Sequence, residues 1–241
     1  MVVKPSTASA AHPLADGVLA LPDGLALLTA SRVLLCADAH LGYEEVMGGG
    51  AVLPLWSTSQ IVAALVRAAE RTCAREIVFL GDAIHGTRMS EGAARTIGAA
   101  LERLRACAPV TVIAGNHEGR SRGAAILGAT VECCERDGWT LSHGDRPDPS
   151  ARRTIIGHLH PALHVGGRGV PAFLAAARLV VVPALTPYSR GLDVRSRACG
   201  EALRPWGVTR RELQVVAATS ERVLPFGSLA ALGGFSAAEP T

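Results

Sequence analysis

Val110-Thr111-Val112-Ile113-Ala114-Gly115-Asn116-His117-Glu118 is a short apolar run that breaks at a glycine turn into an amide, an imidazole and a carboxylate. The same arrangement recurs along the chain. Asp38 and His40 follow the run 33–36, Gly81 and Asp82 follow 77–80, His143 follows 140–142, and His158 and His160 follow 155–157. Short apolar runs bounded by turn signals read as buried strands. In open α/β sheets the ligand crevice lies beyond the carboxyl ends of the strands. Five such ends therefore predict one convergent site, stocked with carboxylate, imidazole and amide donors. That inventory suits divalent metal, and it is rich enough for two ions.

The composition permits this and excludes several alternatives. With 241 residues, 49% of them hydrophobic, the chain has material for a sizeable core. A formal net charge of +3 and a pI near 8.7 fall short of the basic footprint of a dedicated nucleic-acid binder. Lys4 is the only lysine among 24 basic residues, and the rest are arginine, which suits bidentate phosphate contacts. The six cysteines, at 36, 73, 107, 133, 134 and 199, show no C-x-x-C spacing and read as small hydrophobes in a reducing compartment. No uncharged apolar run approaches bilayer length, since 173–185 is short and broken by Arg178 and Pro183. A soluble cytoplasmic protein without a membrane partner is expected.

Working outward in both directions, Pro22-Asp23-Gly24 between the runs 17–21 and 25–29 predicts a hairpin. A helix is expected with Ile61, Leu65, Ala68 and Ala69 on one face, capped by Ser57, Thr58 or Ser59. A second follows Ser90, with Ala94, Ile97, Leu101 and Leu104 on its face. Strand–helix alternation through residue 114 implies parallel crossovers. Beyond it the helical period fades, and 130–133, 139–142, 154–157, 162–165, 170–174 and 179–182 read as strands of a second, more antiparallel sheet. Residues 186–211 read as an ordered surface loop, and 213–217 with 222–226 as a closing hairpin. One domain over 17–232 is expected, with a loose arm at 1–16 and a flexible tail at 233–241.

Taken together, Asp38-x-His40, Gly81-Asp82, Gly115-Asn116-His117-Glu118, His143 and Gly157-His158-x-His160 resemble the motif set of the calcineurin-like metallophosphoesterases. A Gly-Asn-His tripeptide alone arises by chance on the order of one time in a hundred in a chain of this length. The ordered set makes coincidence negligible. The resemblance implies a four-layer αββα sandwich, an α/β arrangement of two mixed β-sheets flanked by helices. It implies Asp38, His40, Asp82 and His160 on one ion, and Asp82, Asn116, His143 and His158 on the other. Asp82 would bridge, a metal-bridging hydroxide would attack phosphorus, and His117 would serve as general acid or transition-state stabiliser.

Closer wording is similar to the ligase-associated DNA damage response phosphoesterases, the PdeM group. It includes residues 37–44, His85 after Gly81-Asp82, Gly157-His158-Leu159-His160-Pro161, Pro171-Ala172-Phe173 and Val182-Pro183-Ala184. That resemblance implies a manganese-preferring phosphodiesterase or endonuclease acting on DNA, encoded beside a DNA ligase, a helicase and an exonuclease. Zn, Fe, Mg or Ni are alternative ions. Ala39 departs from the Asp-Leu-His usual in that group, at a position that is not a ligand.

His85 and Arg120 are candidate substrate contacts. His85 either faces the phosphate or caps the following helical region, and Arg120, like Arg122, Arg152 and Arg153, either clamps a phosphate backbone or is solvated surface charge. Glu44 and Glu118 either orient imidazoles or lie in solvent. Two rival readings stand: the same site acting on a small phosphodiester or phosphomonoester, and a non-catalytic interaction scaffold built on the same fold.

Overall fold

A computed structural model describes residues 10–47, 55–85, 89–116, 122–148 and 150–233. Four antiparallel-linked strands open the chain: β1 (His12–Ala15), β2 (Val18–Ala20), β3 (Ala26–Leu28) and β4 (Val33–Cys36). The short helix α1 (Tyr43–Met47) and the long α2 (Trp56–Thr72) lead to β5 (Glu76–Phe79), and α3 (Glu91–Arg105) leads to β6 (Val110–Val112). β4, β5 and β6 are parallel, completing a mixed six-stranded sheet in the order β1-β2-β3-β4-β5-β6.

After α4 (Arg122–Leu127) the chain builds a second mixed sheet. Its strands are β7 (Cys133–Arg136), β8 (Trp139–Ser142), β9 (Thr154–Ile156), β10 (Pro161–Val165), β11 (Arg168–Ala176), β12 (Leu179–Val181) and β13 (Leu192–Asp193). The helix α5 (Arg197–Leu203) precedes the closing hairpin of β14 (Gln214–Ala218) and β15 (Val223–Ser228). The strand order is β13-β10-β11-β12-β9-β8-β7, with β14 also pairing β11. β8, β9 and β12 are mutually parallel neighbours, whereas the β10–β11, β11–β12 and β7–β8 pairs are antiparallel.

The period of two along each strand sorts the apolar side chains into layers. Leu34, Cys36, Ile77 and Phe79 face Ile61, Leu65, Ile97 and Leu101 of α2 and α3. Their neighbours Val33, Leu35, Val78 and Leu80 point the other way, into a core shared with Trp139, Phe173, Val180 and Val216 of the second sheet. The far face of that sheet, through Ile156, Leu174, Val181 and Val215, packs on Cys199 and Leu203 of α5. The result is the αββα sandwich. Burying each such side chain contributes roughly 1.5–3 kcal/mol.

Several sequence expectations are corrected. His12–Ala15, placed in the loose arm, forms the edge strand β1, because its backbone can pair with the hairpin strand β2. Of the expected strand 130–133, residues 130–132 contribute only the bridge of Val131 to Ile113, and the strand proper starts at Cys133. Residues 186–211 hold β13, α5 and a 3₁₀ turn; Ser196 caps α5, its Oγ accepting from Cys199 N at 3.1 Å. The helix α2 takes its cap from outside: Ser57 N donates to Glu44 Oε1 at 2.7 Å, while Ser57 and Thr58 lie inside the first turn. The expected cap at Ser90 holds, its Oγ accepting from Ala93 N at 3.1 Å.

Candidate metal centre

Three of the five motif turns leave their strands in a conformation that costs energy. Asp38, His40, Asp82, His158 and His160 all have positive φ, between 45° and 62°. Non-glycine residues in this region are strained, by about 1–3 kcal/mol each, and such strain persists where the surroundings over-determine it. Five of the nine non-glycine residues of this kind among the described residues lie here, so the strain is concentrated at one place.

The glycines beside the candidate ligands explain the close packing. A Cβ on Gly81 would overlap the imidazole of His143, and one on Gly115 would overlap the carboxylate of Asp82. A Cβ on Gly157 would stand 2.7 Å from Asp38 Oδ2 and 2.7 Å from the Cβ of Ala37. The ends of the two sheets thus meet directly, and His143 spans them, with Nδ1 3.0 Å from the carbonyl of Leu80.

A carbonyl oxygen only accepts, so Nδ1 of His143 carries a proton, and in the neutral ring Nε2 holds the lone pair. Around that nitrogen stand Asn116 Oδ1 at 3.1 Å, Asp82 Oδ2 at 3.5 Å and His158 Nδ1 at 3.1 Å. On the other side, Asp38 Oδ1 is 3.2 Å from His160 Nε2 and 3.9 Å from His143 Nδ1. Asp38 is fully buried, its Oδ2 accepts from His158 N at 2.8 Å, and its Oδ1 faces the imidazoles of His160 and His143. His160 Nδ1 lies 2.9 Å from Ser189 Oγ, which leaves Nε2 aimed at Asp38.

Two donor groups result: Asp38, His40 and His160, and Asp38, Asp82 and His143, each with ligand atoms within 4.8 Å of one another. A buried carboxylate ringed by imidazole, carboxylate and amide-oxygen groups is stabilised by positive charge among them. The donor set, mixed imidazole, carboxylate and amide oxygen, fits divalent ions of intermediate softness. Burial lowers the His158 pKa, an effect deepened by His143 and opposed by Asp38. Burial also acts against protonated His160, but the hydrogen bond and charge of Asp38 outweigh it and leave its pKa raised.

Residues 31–162, more than half of the chain, match the calcineurin-like phosphoesterase family. The chain belongs to that family. Among solved structures, the Pseudomonas putida nuclease MPE is similar in fold, at 22% identity and a TM-score of 0.65, over 86% of this chain and 94% of that one. YfcE, a phosphoesterase from E. coli, aligns at 18% identity and a TM-score of 0.38, over 67% of this chain and 81% of that one, a likeness too partial to bear on the fold. No curated protein matches the chain.

Of the expected site residues of this calcineurin-like phosphoesterase, Asp38, His40, Asp82, Asn116, His143, His158 and His160 are all brought together. His117 and Arg120 lie outside the described residues. His85 is at the site, its Nδ1 3.0 Å from Nδ1 of His40 and its ring edge-on to Tyr43 at 4.5 Å between centroids. Arg153 is structural: its guanidinium stacks 4.2 Å over Trp139 and donates to Asp16 O. His164 bonds the Arg190 carbonyl. Ala39 is buried in the core against the helices.

Glu44 is buried too, accepting from Ser57 N and from the hydroxyl of Tyr188 at 3.3 Å. Sequence reasoning missed Ser189 and Tyr188, which lie in the long stretch without periodicity; an isolated hydroxyl there carries no signal. Two cavities flank the donors. One, about 210 Å³, is lined by His40, His85, His160, Tyr43, Tyr188 and Ser189 among others. The other, about 550 Å³, opens beside Asn116 and His143, where Glu132, Asp145 and Asp148 outnumber Arg146 among the described residues.

Proposed function

We propose that this protein is a two-metal phosphoesterase that hydrolyses phosphodiester bonds, with a DNA strand as substrate, manganese as the ion and the cytoplasm as its place of action. The observation that carries the reading is the meeting of two donor groups at the fully buried carboxylate of Asp38. Asp38, His40, Asp82 and His160 hold one ion, and Asp82, Asn116, His143 and His158 hold the other. When bound, such a pair lowers the pKa of water and neutralises charge developing at phosphorus.

The chain's own residues set the geometry. The Leu80 carbonyl locks the tautomer of His143 so that Nε2 faces inward. Ser189 holds the ring of His160, and the backbone N–H of His158 fixes Asp38. Groups of this kind orient ligands and raise their basicity. His117, one residue past Asn116, supplies the proton to the departing oxygen. His85, against His40, is a phosphate contact, and Arg120 is a second.

The nuclease name of the Pseudomonas putida structure supports the nucleic-acid substrate, as does the resemblance to the ligase-associated group with its ligase, helicase and exonuclease neighbours. A second reading, a small phosphorylated substrate, is favoured by the acidic lining of the larger cavity, which repels an extended phosphate backbone.

Metal-stripped protein assayed on bis-p-nitrophenyl phosphate, p-nitrophenyl phosphate and circular single-stranded DNA, with and without manganese, tests the proposal. Manganese-dependent cleavage of the diester and of the circle, which has no ends, is expected. Diester turnover with an intact circle supports the small-substrate reading. Absence of all turnover returns the protein to a scaffold.

A further inference from the structure

The chain contains two tyrosines, and both stand at the edge of the metal centre. Their rings stack, with centroids 5.1 Å apart and planes inclined by 30°. Tyr43 also meets His85 edge-on, His85 meets His40 at 4.9 Å, and His40 meets His160 at 5.7 Å. A continuous run of rings therefore leads from the candidate ligands outward to Tyr188. With aromatic residues at only 4% of the chain, this clustering is specific to one place.

Packing does not account for it. Tyr188 is 39% exposed, one of five large hydrophobic residues so exposed among the described residues. It is nonetheless held firmly. Its hydroxyl donates to the buried Glu44, itself tied to the start of α2. Its loop is pinned to the motif turn, with Leu185 N donating to Ala37 O at 2.9 Å and Thr186 N to Asp38 O at 3.2 Å. An exposed aromatic ring, fixed in orientation and linked to the backbone of a candidate ligand, is a preorganised stacking surface.

Resting on the phosphoesterase reading above, the geometry points to Tyr188, backed by Tyr43, as a subsite for a planar ring carried by the phosphate ester, namely a nucleobase. The ring stacks on the open face of Tyr188 while the phosphate lies at the donors. This supplies affinity without base identity, because every base has a π-face and stacking tolerates sequence.

The test is titration calorimetry of the manganese-loaded protein with deoxyadenosine 5′-monophosphate and with 2-deoxyribose 5-phosphate, which differ only in the base. The nucleotide should bind about five- to a hundred-fold more tightly. Tyr188→Ala should collapse that ratio towards one, whereas Tyr188→Phe, which keeps the ring and loses the hydroxyl, should retain most of it. Trithymidylate against its abasic counterpart distinguishes a strand from a free nucleotide: a base effect in both pairs supports a strand, and an effect confined to the monomers supports a free nucleotide. Equal binding of base-bearing and base-free ligands, no binding of either, or an unchanged ratio in Tyr188→Ala overturns the subsite. Failure of the underlying reading is separate, since it appears as absence of manganese-dependent diester turnover in the wild-type protein.

Discussion

The backbone of Gly115 lies so close to the carboxylate of Asp82 that no side chain fits between them. Gly115 is not in the left-handed region, so its requirement is one of space alone. A Cβ there would also overlap the backbone nitrogen of Asp82, so Gly115→Ala should push aside the Asp82 turn as well as its carboxylate and lower diester turnover about a hundred-fold or more, the cost of a misplacement near 1 Å. Turnover with circular dichroism as the folding control checks this. Wild-type turnover in the variant would show that Asp82 need not stand where it does.

Asp38 belongs to both donor groups, and Asp82 to one, although the family resemblance gives the bridging role to Asp82. Asp82→Ala should lose both ions if Asp82 bridges. Metal content after equilibrium dialysis against manganese decides the matter. Retention of one ion in Asp82→Ala, with loss of both in Asp38→Ala, would transfer the bridge to Asp38.

His117 follows a candidate ligand but is assigned a proton-transfer role. His117→Ala should keep its full metal content and lose about 10²- to 10⁴-fold in rate. The deficit should be larger for a diester with a poor leaving group than for a nitrophenyl ester, whose departing oxygen needs no proton. Loss of metal in this variant would make His117 a ligand.

The pKa shifts bear on the metal-free protein. His160 is raised above the ordinary imidazole value of 6.5, so its pairing with Asp38 contributes stability that is present below pH 6.5 and lost as pH rises through the raised value. His158 is lowered, so its contribution runs the other way, and stability is lost as pH falls from 6.5 towards its folded pKa. Imidazole ligands bind metal only when neutral. Manganese uptake just above pH 6.5 should therefore release a proton from His160, while His158 is already neutral. Calorimetry in two buffers of different ionisation enthalpy reads this release directly. Identical heats in both would exclude His160 as a ligand.

The sequence by itself determined the strand-end turns, the parallel crossovers that link β4, β5 and β6, the opening and closing hairpins, and the set of candidate metal ligands that meet. Those features are written locally: an apolar run and then a donor, in three of the five turns with a glycine between them, needed because the next turn packs against it. The tertiary structure alone decided what surrounds the donors. Glu44 caps α2 and receives the Tyr188 hydroxyl across 144 positions of sequence. Ser189 orients His160 across 29, and His143 finds the Leu80 carbonyl across 63. A buried acid and a surface acid look alike in sequence, as do an orienting serine and a loop serine, because the difference lies in which distant backbone packs beside them. The edge strand β1 and the helix α5 escaped for the same reason: too short to show a period, they are held by the sheets on which they lie.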